Sequence, residues 1–212
     1  MAEIIDSRPK LVLVMGCNGC GKSAWKRNNY DSLPEIYFDQ DSVAGGIGDW
    51  DKENARERAR EIVYEKITEC FEARLDFGFE STFSGRPGVE LLERAVANKY
   101  QVEGCYIGTR SPDINIERIH RRVVLRRGHY IDPARIPNRW NWSLSNLRKY
   151  IGLFDFLEAL DNSVEHRDEL LKPSVQFRAE KGKIVFLNEE LEEWSKEFLR
   201  RLDLAKERDD LM

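Results

Sequence analysis

Leu11-Val-Leu-Val-Met15 runs straight into Gly16-Cys-Asn-Gly-Cys-Gly21-Lys22-Ser23, and this junction constrains the chain more than any other feature of its sequence. A short continuous apolar run ending in glycine is a strand buried on both faces, the form strands take inside a parallel sheet. The segment after it fits G-x-x-x-x-G-K-[ST] at every fixed position, and residues 22–29 have helical character. Strand, glycine-rich turn and helix together form a cradle for phosphate. The glycines let backbone N–H groups curl around phosphate oxygens, and the helix N-terminus adds its positive dipole. Lys22 brings a charge for the β- and γ-phosphates, and Ser23 brings a hydroxyl for Mg²⁺. The predicted nucleotide cradle is Gly16, Cys17, Asn18, Gly19, Cys20, Gly21, Lys22, Ser23 and Ala24.

The remaining pattern extends this unit into a fold. Strands are predicted at 36–38, 75–79 and 100–107, with a final strand pair at 175–177 and 183–187. Helices are predicted over 51–74, 87–98, 114–127, 136–160 and 189–204, with the last seven residues frayed. Strands that alternate with helices imply an α/β fold around a parallel sheet. The expectation is a three-layer P-loop NTPase of the kinase type with a central five-stranded, mostly parallel sheet. All 212 residues fit one domain, with an arginine-bearing helical lid near 110–150.

Composition removes several other classes. The formal charge of −4 argues against a general nucleic-acid binder, whose domain is usually strongly basic. Four cysteines in a chain of this length do not make a disulfide scaffold. The early apolar run is far too short for a membrane span, and Glu3 and Asp6 precede no signal-peptide core, so a cytoplasmic location is expected. Cys17 and Cys20 form a C-x-x-C inside the glycine-rich turn, which admits a redox pair or half a zinc site. No second C-x-x-C accompanies it, and His120, His129 and His166 form no ligand cluster. The preferred reading is two small residues filling variable loop positions, with a low-pKa thiol at the helix N-terminus left open.

Two further constellations surround the cradle. Asp39 and Asp41 follow the second strand, and Glu80, Thr82 and Ser84 follow the third. In an open α/β sheet the C-terminal ends of the strands line the ligand crevice, so these side chains are predicted to meet the acceptor. A carboxylate there can deprotonate a hydroxyl or hold Mg²⁺, and Glu80 is a candidate metal-binding acid alongside Ser23. The competing readings are an Asx turn that caps the next segment and simple loop solubility. The second constellation is basic. Residues 110–150 carry ten Lys/Arg against three acids, a net charge of +7 that leaves −11 for the rest of the chain. Arg118, Arg122 and Arg126 repeat at helical spacing and can clamp phosphates beside a P-loop. A solvated helix face and an RNA-contact surface are the alternatives.

Phe79-Glu-Ser-Thr-Phe-Ser-Gly85 is similar to the F-E-T-T-L-S-G element of the zeta toxin family of P-loop kinases. Tyr106-Ile-Gly108, Ser111-Pro112, Ile116, Arg118, Arg122, Gly128-His129, Arg139-Trp140, Ser143, Asn146-Leu147 and Asp161-Asn-Ser163 follow that family's downstream pattern. The resemblance spans roughly residues 10–190. It implies ATP- and Mg²⁺-dependent phosphorylation of the 3′-hydroxyl of UDP-N-acetylglucosamine, and an antitoxin protein as partner. It implies Asp41 as catalytic base, Lys22 and Ser23 as ligands of ATP and Mg²⁺, and Glu80 and Thr82 as contacts to substrate or metal. Arg118, Arg122 and Arg139 become the candidate lid arginines. The chain departs from the family at Cys17 and Cys20, at Ser81, at Arg127 and at Ser42-Val-Ala-Gly-Gly46, which replaces an aromatic-basic pair. The alternatives are a nucleotide-dependent switch with weak transfer activity, and a kinase for another small molecule or a nucleic-acid end.

Overall fold

The computed structural model describes residues 7–47, 53–125, 131–164 and 173–209. Arg126, Arg127, Gly128, His129 and His166 lie outside them.

The buried run near the start of the chain forms strand β1, Lys10–Met15, an interior strand of the sheet. Its side chains alternate between two apolar clusters. Leu11, Leu13 and Met15 join the larger core, while Val12 and Val14 join a smaller one on the other face. A strand sandwiched in this way has no polar face, which is why its sequence shows no alternation. Beside it lie β3, Phe77–Ser81, and β4, Gln101–Gly108, both parallel to β1. The two-residue β2, Tyr37–Phe38, pairs in parallel with the far side of β3.

Helices cover both faces. The long α3, Glu53–Ala73, packs Val63, Ile67, Cys70 and Phe71 into the larger core together with α4, Arg86–Ala97. Helix α1, Lys22–Asn28, covers the smaller core with Trp25. Ser111 caps helix α5, Pro112–Val124, by accepting a hydrogen bond from the Asp113 N–H.

Three expectations need correction. The helix predicted over 136–160 ends early. Helix α6 covers Ile136–Tyr150, a 3₁₀ turn follows at Ile151–Leu153, and Phe156–Asp161 is strand β5, parallel to β4. Leu147, Ile151, Phe154 and Leu157 keep a helical spacing, and all four enter the same core. The open edge of β4 decides the matter, because pairing there satisfies the backbone groups of 156–161. The sheet also has seven strands rather than five among the described residues, in the order β2-β3-β1-β4-β5-β6-β7. Its last two, β6 (Ser174–Glu180) and β7 (Lys183–Leu187), run antiparallel and extend the five parallel strands. Finally, the terminal helix α7 covers Glu193–Asp209, so four of the seven residues expected to fray continue it.

Helix α2, Gln40–Ile47, was not anticipated either, and it forms despite Gly45 and Gly46 in its body. Asp39 starts it: Oδ1 accepts from the N–H groups of Asp41 and Ser42, and Oδ2 accepts from the Ser42 hydroxyl.

Candidate functional site

The C-terminal ends of β1, β2 and β3 open onto a cleft of about 830 Å³, within the usual range for a small-molecule site. The glycine-rich turn forms its floor. Gly19 and Gly21 adopt φ of 81° and 107°, the left-handed region that glycine enters freely. Both also sit against other parts of the chain: a Cβ on Gly19 would lie 2.5 Å from the Asn115 carbonyl oxygen, and one on Gly21 would lie 2.2 Å from Asn162 Nδ2. Asn162, just past β5, donates to the Cys20 carbonyl at 2.7 Å and braces the turn from beneath.

Lys22 is almost fully buried. Its Nζ donates to the carbonyls of Gly16 at 2.8 Å and Cys17 at 3.4 Å, so it folds back over the leading limb of the turn. Burial works against its charge, but the acidic groups Cys20, Glu80, Cys17 and Asp41 around it outweigh that effect and raise its pKa above the usual lysine value. Glu80 is the penultimate residue of β3, directly beside β1, where Val14 is its neighbour in register. Burial raises the Glu80 pKa. Lys22 opposes the shift, and the nearby Asp39 reinforces it. Its Oε2 is buried with no hydrogen-bond partner among the described residues. A buried carboxylate oxygen without a partner is costly unless a ligand supplies one.

Asp39 and Asp41 both line the cleft, but with different local roles. The Asp39 carboxylate is held as the cap of α2 and lies 3.7 Å from Lys26 Nζ. The same cap uses only the backbone N–H of Asp41 and leaves its side chain exposed to the cleft. Thr82 and Ser84 also line the cleft, and their hydroxyls are 2.9 Å apart. Between them Phe83 is fully buried at a φ of 52°, which folds the loop sharply back into the core. Asn146 of α6 fixes this loop through a hydrogen bond to the Phe83 carbonyl.

Arg118, Arg122 and Arg139 enter the cleft from α5 and α6. Arg122 Nε is buried without a hydrogen-bond partner among the described residues, and Arg139 Nη1 donates to Asn18 Oδ1 at 2.7 Å. The structure therefore gathers Asn18, Gly19, Gly21, Lys22, Ser23, Ala24, Asp39, Asp41, Glu80, Thr82, Ser84, Arg118, Arg122 and Arg139 around one cleft. Arg27, Gln40 and Arg135 line it as well, and sequence reasoning assigned them nothing. Gln40 carried no signal, while Arg135 was one cation among many.

Cys17 and Cys20 turn away from the cleft. Cys17 packs with Ile119, Ile131 and Ile136, and Cys20 packs with Val12, Val14 and Cys105. Burial pushes the Cys17 thiol up to about 12 and raises Cys20 also. The low-pKa thiol left open by the sequence is thus absent at both positions: the desolvation of a sealed apolar niche outweighs the adjacent helix N-terminus. Only the backbone of these two residues is left to meet a nucleotide.

Comparison with known proteins extends the fold. No known family model matches the chain. An uncharacterized protein of Haemophilus influenzae is 30% identical over 122 residues, which make up 58% of this chain and 86% of that protein; the chain belongs to its family. Among solved structures, one chain from the PezAT chromosomal toxin-antitoxin system of Streptococcus pneumoniae matches 96% of this chain and 88% of its own length, at a TM-score of 0.59 and 15% identity. A chain of the AvrRxo1-ORF1:AvrRxo1-ORF2 structure with ATP matches 92% of this chain and 63% of its own, at a TM-score of 0.63 and 8% identity. At such identities the likeness is one of fold, and the fold is that of the P-loop kinases.

Proposed function

We propose that this chain is an ATP- and Mg²⁺-dependent kinase that transfers the γ-phosphoryl group to a hydroxyl of a small molecule. The 3′-hydroxyl of the sugar in UDP-N-acetylglucosamine is the acceptor that the zeta toxin resemblance favours. One observation carries the reading. The exposed carboxylate of Asp41 opens onto the same cleft as Lys22 and Ser23, while its neighbour Asp39 is committed to the helix cap.

In this reading Asp41 orients the acceptor hydroxyl and takes its proton as the oxygen forms its bond to the γ-phosphorus. The bond from that phosphorus to the bridging oxygen breaks, and ADP leaves. Lys22, Arg118, Arg122 and Arg139 balance the charge on the transferring group. The residues present fit a hydrated Mg²⁺, because Ser23 offers a hydroxyl and Glu80 Oε2 is a buried oxygen in need of a partner. Magnesium usually takes only one or two protein oxygens beside the nucleotide phosphates. When bound, it neutralises charge between the β- and γ-phosphates. Asp39, Glu80, Thr82 and Ser84 shape the acceptor side.

The same reading makes residues 1–212 one kinase domain acting in the cytoplasm, with an antitoxin-type protein as partner. Among the described residues no helix is long and apolar enough to cross a membrane. Incubation with ATP, Mg²⁺ and a panel of nucleotide sugars, read by mass spectrometry, tests the proposal. One added phosphate on UDP-N-acetylglucosamine is expected. Phosphate on a different acceptor overturns the substrate and leaves the kinase. The absence of both ATP consumption and any phosphorylated product overturns the substrate and the kinase together.

A further inference from the structure

Asn18 is the third residue of the glycine-rich turn, and it closes a ring of hydrogen bonds. Its side-chain oxygen accepts from Arg139 Nη1 at 2.7 Å. Its backbone carbonyl accepts from Asn115 Nδ2, also at 2.7 Å. Asn115 is fully buried, and its own oxygen accepts from the Thr109 hydroxyl. The Thr109 carbonyl and hydroxyl accept in turn from the indole N–H of Trp140, at 3.2 and 3.3 Å. Trp140 follows Arg139 in α6, so the ring returns to its start. Two consecutive residues of α6 are thereby tied to one residue of the phosphate turn, one of them through a buried amide.

The place of Asn18 along the turn gives this ring a use. Lys22 serves the β- and γ-phosphates in such a site. Here its Nζ rests on the carbonyls of Gly16 and Cys17, which places the terminal-phosphate end of the cradle on the leading limb. Asn18 is the next residue on that limb, and it holds the Arg139 guanidinium there. The amide suits the task chemically. It accepts one of the five guanidinium N–H donors and leaves the others for a ligand. Being neutral, it orients the cation without cancelling its charge, as a carboxylate at this position would.

We propose that Asn18 is a positioning residue that aims Arg139 at the terminal phosphate, so that the two together distinguish a nucleoside triphosphate from a diphosphate. The inference rests on the nucleotide-binding reading above and is independent of the acceptor. Calorimetric titration of the full chain with Mg²⁺-ADP and with a non-hydrolysable ATP analogue tests it. The variants are Asn18→Ala, Asn18→Asp, Arg139→Ala and the Asn18→Ala/Arg139→Ala pair. The wild type should prefer the triphosphate analogue. Each single variant should lose about tenfold of that preference, because binding of the triphosphate analogue is weakened more than binding of ADP. The double variant should lose no more than Arg139→Ala alone, because Asn18 acts through the arginine. Asn18→Asp should lose the preference although it keeps an acceptor for the guanidinium. An Asn18→Ala protein that retains the full preference overturns the proposal. So does a loss that adds to that of Arg139→Ala, or an equal loss for both nucleotides, which is the signature of a merely structural residue. A wild-type protein that binds neither nucleotide overturns the nucleotide reading itself, and this inference with it.

Discussion

Lys22 Nζ lies 3.9 Å from Glu80 Oε1, and the two side chains are only 7% and 13% exposed. That separation is too long for a hydrogen bond, so the lysine donates to backbone carbonyls instead and the acid keeps an unpartnered oxygen. The pair is a loaded arrangement of opposite charges rather than a closed ion pair. It is kept apart by the turn that positions Lys22, and a phosphate–metal complex would satisfy both partners.

Glu80 should make stability depend on pH. Its folded pKa is raised above the unfolded value, chiefly by burial, so the folded state holds the proton more tightly. The stability linked to this group is therefore fully present below the ordinary carboxylate pKa and is lost as pH rises through the folded value. Glu80→Gln should be more resistant to urea than the wild type at neutral pH, and the difference should vanish in mild acid. A constant difference across the titration refutes this account. Added Mg²⁺-nucleotide should narrow the gap at neutral pH, because it stabilises the charged form only in the wild type.

Lys22→Ala should weaken ATP binding by roughly ten- to a hundredfold, the usual worth of a charge-assisted hydrogen bond. The same change leaves the Gly16 and Cys17 carbonyls without their donor. Lys22→Arg should fail to rescue binding, because the niche is closed around a single ammonium. Equilibrium binding of a fluorescent ATP analogue, alongside circular dichroism to verify folding, provides the measurement.

Asp39 and Asp41 should separate cleanly by mutation. Asp41→Asn should lower transfer by roughly a hundred- to ten-thousandfold, the range of a general base, while the melting temperature stays within about a degree. Asp39→Ala should cost about 1 kcal/mol of stability through loss of the α2 cap. Its effect on transfer should be indirect, through the tilt of the helix that carries Asp41. Equal catalytic losses with no change in melting temperature at either position would sink the division of labour.

The C-x-x-C should behave as packing. Cys17 and Cys20 point into separate apolar clusters, and all four free cysteines are buried. With the Cys17 thiol pushed up to about 12, the native protein should resist a thiol reagent at neutral and mildly alkaline pH. It should react only as fast as it unfolds, and mild oxidants should leave nucleotide binding intact. Rapid native-state labelling at either position contradicts this.

Much of the molecule is legible without coordinates. The strand, turn and helix of 10–28 follow from local composition, since a run as apolar as Leu11–Met15 tolerates no exposed face and a glycine-rich turn of that spacing has few uses. The start of α5 was equally clear, because Ser111, Pro112 and Asp113 each satisfy a requirement of the first helical turn. Strand β5 was not legible. Its apolar residues continue the helical spacing of α6, and only the vacant edge of β4 selects extended backbone there. Helix α2 was missed for a related reason: Gly45 and Gly46 disfavour a helix locally, and the Asp39 cap offsets part of that cost.

The division reflects the range of the forces involved. By itself the sequence determined what depends on neighbours along the chain: the phosphate turn, the identity of the acids that follow β2 and β3, and the basic character of 110–150. Tertiary structure decided what depends on distant partners. It committed Asp39 to a cap and left Asp41 exposed, turned both loop cysteines into the core, and seated Arg139 on Asn18, 121 residues away in sequence. Hydrogen-bond geometry and desolvation act over a few ångströms of space whatever the separation along the chain, so only the folded molecule could assign them.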